Sequence, residues 1–110
     1  METHDLPAPE RDEIDLAAVL HALSDPVRLG IVVDLRESGD ERRCGSFEAS
    51  VTKSTLTHHF RVLREAGVIS QRQDGTARLS QLRTGDLEAR FPGLLDAVLS
   101  AAGEAISASA

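Results

Sequence analysis

Lys53, Ser54, Thr55, Thr57, His58 and Arg61 bring hydroxyls, an imidazole and two cations into one short stretch, interleaved with Leu56, Phe60 and Leu63 at spacings of four and three. On a helix the three apolar residues form a buried stripe and the polar set occupies the opposite side. Short donors and acceptors there, in place of the Glu, Lys and Gln of an ordinary solvated face, suit hydrogen bonding to base edges and phosphates. Thr52 is placed to cap such a helix, and Gly67 to stop it in the left-handed conformation before Val68 and Ile69. The resulting rod of about 14 residues, on the order of 21 Å long, fits a duplex major groove about 12 Å wide. Adjacent helical residues diverge by about 100°, so His58 and His59 do not converge on one metal ion. His58 falls near the polar face with Ser54, whereas His59, three after Leu56 and four before Leu63, belongs with the packed side.

Residues 68 to 83, VISQRQDGTARLSQLR, read as two short strands joined at Asp74-Gly75, a dipeptide suited to turn positions of positive φ. Arg72 and Arg78 flank the tip from opposite strands, so the hairpin is a candidate wing for a phosphate backbone or a minor groove.

Net charge is −6, which taken as a whole repels polyphosphate. The distribution reverses that reading. Residues 1 to 40 carry three basic and ten acidic side chains, residues 41 to 83 eight and four, and residues 84 to 110 one and four. Charges more than about 8 Å apart are largely screened at physiological salt, so the cationic centre of the chain outweighs its acidic ends locally.

A chain of 110 residues with 41% hydrophobic content supports one domain with one modest core. Three Phe without Trp or Tyr give no stacking platform for single-stranded bases. The N-terminal METHDLPAPERDE is acidic where a secretory signal is basic and then apolar, and no apolar run approaches the length of a membrane span, so a cytoplasmic protein without membrane association is expected. The lone Cys44 permits no internal disulfide and reads as a small packing residue, with a thiol sensor aided by Arg42 and Arg43 as the alternative. No spacing of nucleophile, base and orienting group suggests catalysis, and neither a catalytic residue nor a cofactor is expected.

Met1 to Asp12, with Pro7 and Pro9, reads as a flexible or loosely docked N-terminal arm, leaving residues 13 to 110 as the folded domain. Glu13 to Leu23 is apolar nearly all the way round a helix, Ser24-Asp25-Pro26 caps a second helix that ends at Gly39, and SFEAS, residues 46 to 50, provides about one helical turn. Within the second helix Gly30 costs about 1 kcal/mol relative to Ala unless a neighbouring helix packs against it closely. Phe91-Pro92 precedes a last helix with a dense apolar face. The faces of the first and last helices exceed one small core, so Ile14, Ala17, Leu20, Leu94, Leu95, Val98, Leu99 and Ala102 are expected to join two chains in a symmetric dimer.

This order is that of a winged helix-turn-helix, mainly α with a small β hairpin, dimerising through its first and last helices. ALSDPVRLGIVVDL, residues 22 to 35, and STLTHHFRVLREAGVI, residues 54 to 69, resemble the two signature stretches of the ArsR family of bacterial repressors. The resemblance implies a homodimer on a palindromic operator in double-stranded DNA, repressing, and released by a small-molecule or thiol-reactive inducer that the sequence does not identify. It also implies DNA contacts by Lys53, Ser54, Thr55, Thr57, His58 and Arg61, with Arg72 and Arg78 in the wing. A winged module that binds protein rather than DNA is the alternative. Two departures set the chain apart from metal-sensing members: Arg43-Cys44-Gly45 stands where arsenic and lead sensors have Cys-Val-Cys, and residues 86 to 110 lack the histidines of zinc and nickel sensors. No metal site is therefore expected.

Overall fold

The computed structural model describes residues 3–39, 41–43 and 52–109. Cys44 and the short helix expected over residues 46 to 50 lie outside them. The chain runs as β1 (Thr3–Asp5), a 3-10 turn (Arg11–Glu13), α1 (Leu16–Leu23), α2 (Pro26–Glu37), β2 (Glu41–Arg43), α3 (Lys53–Ala66), β3 (Ile69–Asp74), β4 (Ala77–Leu82), α4 (Thr84–Arg90) and α5 (Leu94–Ser109). This is a winged helix-turn-helix whose wing is wider than a hairpin. Its antiparallel sheet has strand order β1-β3-β4-β2.

Local signals set most helix ends. α1 begins three residues later than the apolar run suggests, because the Asp15 carboxylate accepts from the Ala18 N–H at 3.1 Å and fixes the start there. Asp25 caps α2 in the same way, accepting from Arg28 N at 3.0 Å with Pro26 in the first turn, and the chain turns by 98° between the two helices. The Thr52 hydroxyl accepts from Thr55 N at 3.3 Å to start α3, which ends at Gly67 with φ 87°. Gly67 is fixed twice over, since a Cβ there would also lie 2.7 Å from Ile14 Cγ1. Gly30 is different. Among the described residues nothing lies within 4 Å of a Cβ built on it, so the close packing that would offset its cost is not found there.

The core gathers Ile14, Val19, Ala22 and Leu23 from the α1 region, Ile31, Val32 and Leu35 from α2, Phe60 and Leu63 from α3, Ile69 and Leu82 from the wing base, and Leu87, Leu95 and Leu99 from α4 and α5. At about 25 cal/mol per Å² of apolar surface removed from water, this cluster is the main favourable contribution to folding. It holds the back of α3 against α1 and α2 while the wing grows from its C-terminal end.

The hairpin closes one residue later than the sequence reading. Asp74 pairs with Ala77, so Gly75 and Thr76 form the two-residue turn, and Gly75 takes φ 63° at its first position. Among the described residues no single helix is long and apolar enough to cross a membrane.

Candidate nucleic-acid interface

Lys53, Ser54, Thr55, Thr57, His58 and Arg61 are all exposed on α3, while His59, Phe60, Leu63 and Ala66 are buried behind them and Leu56 is half-buried. The apolar stripe therefore anchors the helix and the hydroxyl-rich side faces outward. Thr52 donates its hydroxyl to Thr55 Oγ1 at 2.9 Å, and Thr57 Oγ1 donates to the Lys53 carbonyl at 3.0 Å, which fixes the rotamers of this first turn. Arg61 Nε lies 3.6 Å from Glu65 Oε1 across one helical turn, with both side chains well exposed. Such a pair is worth only about 0.3–0.5 kcal/mol, so a phosphate competes for Arg61 readily.

Behind that face the helix is held by a polar joint that the sequence reading did not identify. Arg28, buried in α2, donates from Nε to the Ala22 carbonyl at 2.7 Å, from Nη2 to the His21 carbonyl at 3.3 Å, and from Nη1 to His59 Nδ1 at 3.2 Å. Asp25 Oδ2 also lies 3.8 Å from His59 Nδ1. The guanidinium is nearer and can only donate, so Nδ1 accepts and the ring carries its proton on Nε2. The Asp25 carboxyl is held below the usual carboxylate range, first by the Arg28 backbone N–H and further by the nearby Arg28 guanidinium, against the opposing effect of burial. His59 is thus a buried, hydrogen-bonded packing residue, as its spacing indicates. The available signal for Arg28 was an arginine inside the otherwise apolar stretch from Val27 to Val33.

The wing separates its two arginines. The register pairs Gln73 with Arg78 and Arg72 with Leu79, and side chains alternate along a strand, so Arg72 and Arg78 point to opposite faces of the sheet. Arg78 shares a face with Gln71 and Ser80, is exposed, and donates from Nε to Gln73 Oε1 at 3.3 Å. Gln71 and Ser80 are buried and joined to each other at 3.0 Å, and Arg64 in the last turn of α3 donates to Gln71 Oε1 at 2.6 Å. Arg78 therefore extends from the side of the wing that faces α3. Arg72 is half-buried on the other face, directly opposite Asp5 of β1.

Of the residues expected at a dimer seam, Ile14, Leu95, Leu99 and Ala102 are buried within the chain's own core, Leu94 and Val98 are half-buried against it, and Ala17 and Leu20 are exposed. Leu16, absent from that expectation, is exposed as well; 42% of Leu16 and 45% of Leu20 is open to solvent. Among the described residues no group of three or more His, Cys, Asp or Glu side chains is arranged to hold a metal ion.

Comparison with known proteins agrees with this arrangement. The family described as bacterial regulatory protein, arsR family, matches residues 25–71, the span from the α2 cap to the first half of β3. The uncharacterized HTH-type transcriptional regulator YceK of Bacillus subtilis (strain 168) is 35% identical over 89 residues, covering 79% of this chain and 89% of the relative. The HTH-type transcriptional repressor SmtB of Mycobacterium tuberculosis (strain ATCC 25618 / H37Rv) is 36% identical over 102 residues, covering 89% of this chain and 71% of the relative. With a polar-faced helix on a buried back, a wing at its end and likeness along most of the chain to regulators rather than enzymes, this protein belongs to the ArsR family of helix-turn-helix transcriptional regulators.

Proposed function

We propose that the chain is a sequence-specific repressor that binds a palindromic operator as a homodimer, with α3 in the major groove of double-stranded DNA. The observation that carries this reading is the division of α3: Lys53, Ser54, Thr55, Thr57, His58 and Arg61 open to solvent, and the opposite side fixed in the core. In it Ser54, Thr55, Thr57 and His58 meet base edges, Lys53 and Arg61 neutralise phosphates, and Arg78 reaches the flanking backbone from the wing. Arg72 contributes charge that Asp5 partly offsets. Repression is favoured by the name of the mycobacterial relative, and the cytoplasm is where a bacterial regulator meets its operator.

The dimer reading is supported by the exposed leucines of α1, since large apolar side chains that a monomer leaves open gain from burial against a second copy. We place the seam on Leu16, Ala17 and Leu20 with the half-buried Leu94 and Val98, because Ile14, Leu95, Leu99 and Ala102 already serve the core. Release by a small-molecule or thiol-reactive inducer completes the scheme, and no feature of the described residues selects its chemistry.

Selection of bound duplexes from a random pool with the purified chain tests the reading. A twofold-symmetric enriched site is the expected result. Absence of duplex retention even at low salt would leave the winged module without a DNA role and favour a protein partner.

A further inference from the structure

The segment before α1 crosses the joint between α3 and the wing. β1 pairs with the outer edge of β3 in the register Thr3 to Asp74, His4 to Gln73 and Asp5 to Arg72, and the Leu6 N–H continues the ladder to the Gln71 carbonyl at 2.9 Å. Arg64, in the last turn of α3, donates from Nε to the Pro7 carbonyl at 3.1 Å and from Nη1 to Gln71 Oε1 at 2.6 Å, so one side chain binds helix, arm and wing together. Arg83, at the end of the wing, donates to the Pro9 carbonyl at 2.7 Å and to Asp86 at 2.9 Å, and Arg11 meets the same carboxylate at 2.7 Å. Pro9 and Ile14 cover Gly67, the residue at which α3 turns into β3.

The β3–β4 hairpin carries β2 on one edge, and β1 on the other adds hydrogen bonds where the edge of β3 would stand open. We propose that residues 3 to 11 are a positioning brace for DNA binding, fixing the angle between α3 and the wing so that the polar face and Arg78 meet one duplex at once. The inference rests on the DNA-binding reading above. It opposes simple electrostatics in sign. Asp5 puts a carboxylate beside the wing, opposite Arg72, so charge alone makes a loosened arm favour DNA, whereas a brace makes the same loosening unfavourable.

Leu6→Pro removes the N–H that donates to Gln71 and leaves every charge unchanged. The expected result is affinity for operator and random duplex lower by roughly three- to tenfold, a shallower salt dependence as the wing contact is lost, and faster amide exchange in β3 and β4 with α3 unchanged. Asp5→Asn, which keeps the strand, is expected to bind at or slightly above the wild-type level. Unchanged or tighter binding by Leu6→Pro overturns the brace. A crosslink between His4→Cys and Gln73→Cys, in a Cys44→Ser background, guards against simple unfolding: oxidised, it is expected to bind at least as well as its reduced form and to restore binding when combined with Leu6→Pro. Weaker binding on oxidation means the arm has to leave for DNA to bind, and overturns the brace equally. If the wild-type chain retains no duplex at all, the proposed function fails, and exchange in β3 and β4 alone decides whether the arm holds the wing.

Discussion

His59 is the residue through which the back of α3 meets α2, because its Nδ1 accepts from a guanidinium that is otherwise committed to two backbone carbonyls. Replacing it by Leu keeps the apolar contacts but leaves a buried N–H donor of Arg28 without that acceptor, a loss on the order of 1–3 kcal/mol. Urea denaturation is expected to show that loss for His59→Leu and a smaller one for His59→Asn, whose side-chain oxygen restores an acceptor. Equal losses in both would mean that ring volume, not the hydrogen bond, holds the joint. The burial of His59 was legible from its place between Leu56 and Leu63, a pattern confined to a few residues. Its partner was not, because Arg28 stands 31 residues away and such pairings arise only when the helices pack. The same limit applies to Arg72 and Arg78. Sequence places both near a hairpin tip, but which face each takes follows from a register that a shift of one residue inverts.

Elements whose ends are marked by short-range chemistry were legible: the Thr52 cap and Gly67 stop of α3, and the Asp25-Pro26 start and Gly39 stop of α2. β1 was not, since Thr3, His4 and Asp5 carry no alternating apolar pattern and form a strand only because the edge of β3 lies beside them. The cost of Gly30 inside α2 was also legible, since only close packing would have offset it. A Cβ at that position meets none of the described residues within 4 Å, so Gly30→Ala is expected to raise unfolding free energy by about 1 kcal/mol through the helix propensity and unfolded-state entropy of Ala, as read by thermal or urea unfolding. A destabilised Gly30→Ala would reveal a partner packed on α2. α4 is tied to the arm by Asp86, whose carboxyl is held below the usual range first by the Arg11 hydrogen bond and then by Arg83, against the opposing effect of burial. A carboxyl with a depressed folded pKa contributes stability that is present above its unfolded value, about 3.9, and is lost as pH falls through the folded value. Asp86→Asn is therefore expected to lose on the order of 1 kcal/mol or less at neutral pH and to show a shallower decline in stability below about pH 4. An unaltered acid profile would show that the Arg11 and Arg83 contacts contribute nothing in solution.

For the whole molecule, the acidic balance of the chain and the cationic stretch from 41 to 83 are reconciled by position: α3 and the β3–β4 hairpin lie in that stretch, while acidic side chains are spread over the segment before α1, the caps of α1 and α2, and α2, α4 and α5. That distribution predicts duplex binding with strong salt dependence and little long-range attraction. Its twofold form depends on α1. Leu20→Asp places a charge at an exposed position, so the fold is expected to remain while sedimentation shows monomers and operator affinity falls by more than tenfold. Leu95→Asp is a poorer test, since Leu95 is buried in the chain's own core and the variant is expected to unfold. A Leu20→Asp dimer of native stability would move the seam away from α1.

The central claim is that the exposed side of α3 reads bases, and the double variant Ser54→Ala with His58→Ala tests it on the selected operator and on random duplex in parallel. The expected result is a loss on the order of 1–3 kcal/mol per base contact on the operator, with binding to random duplex retained. Equal losses on both, or none on either, would contradict it.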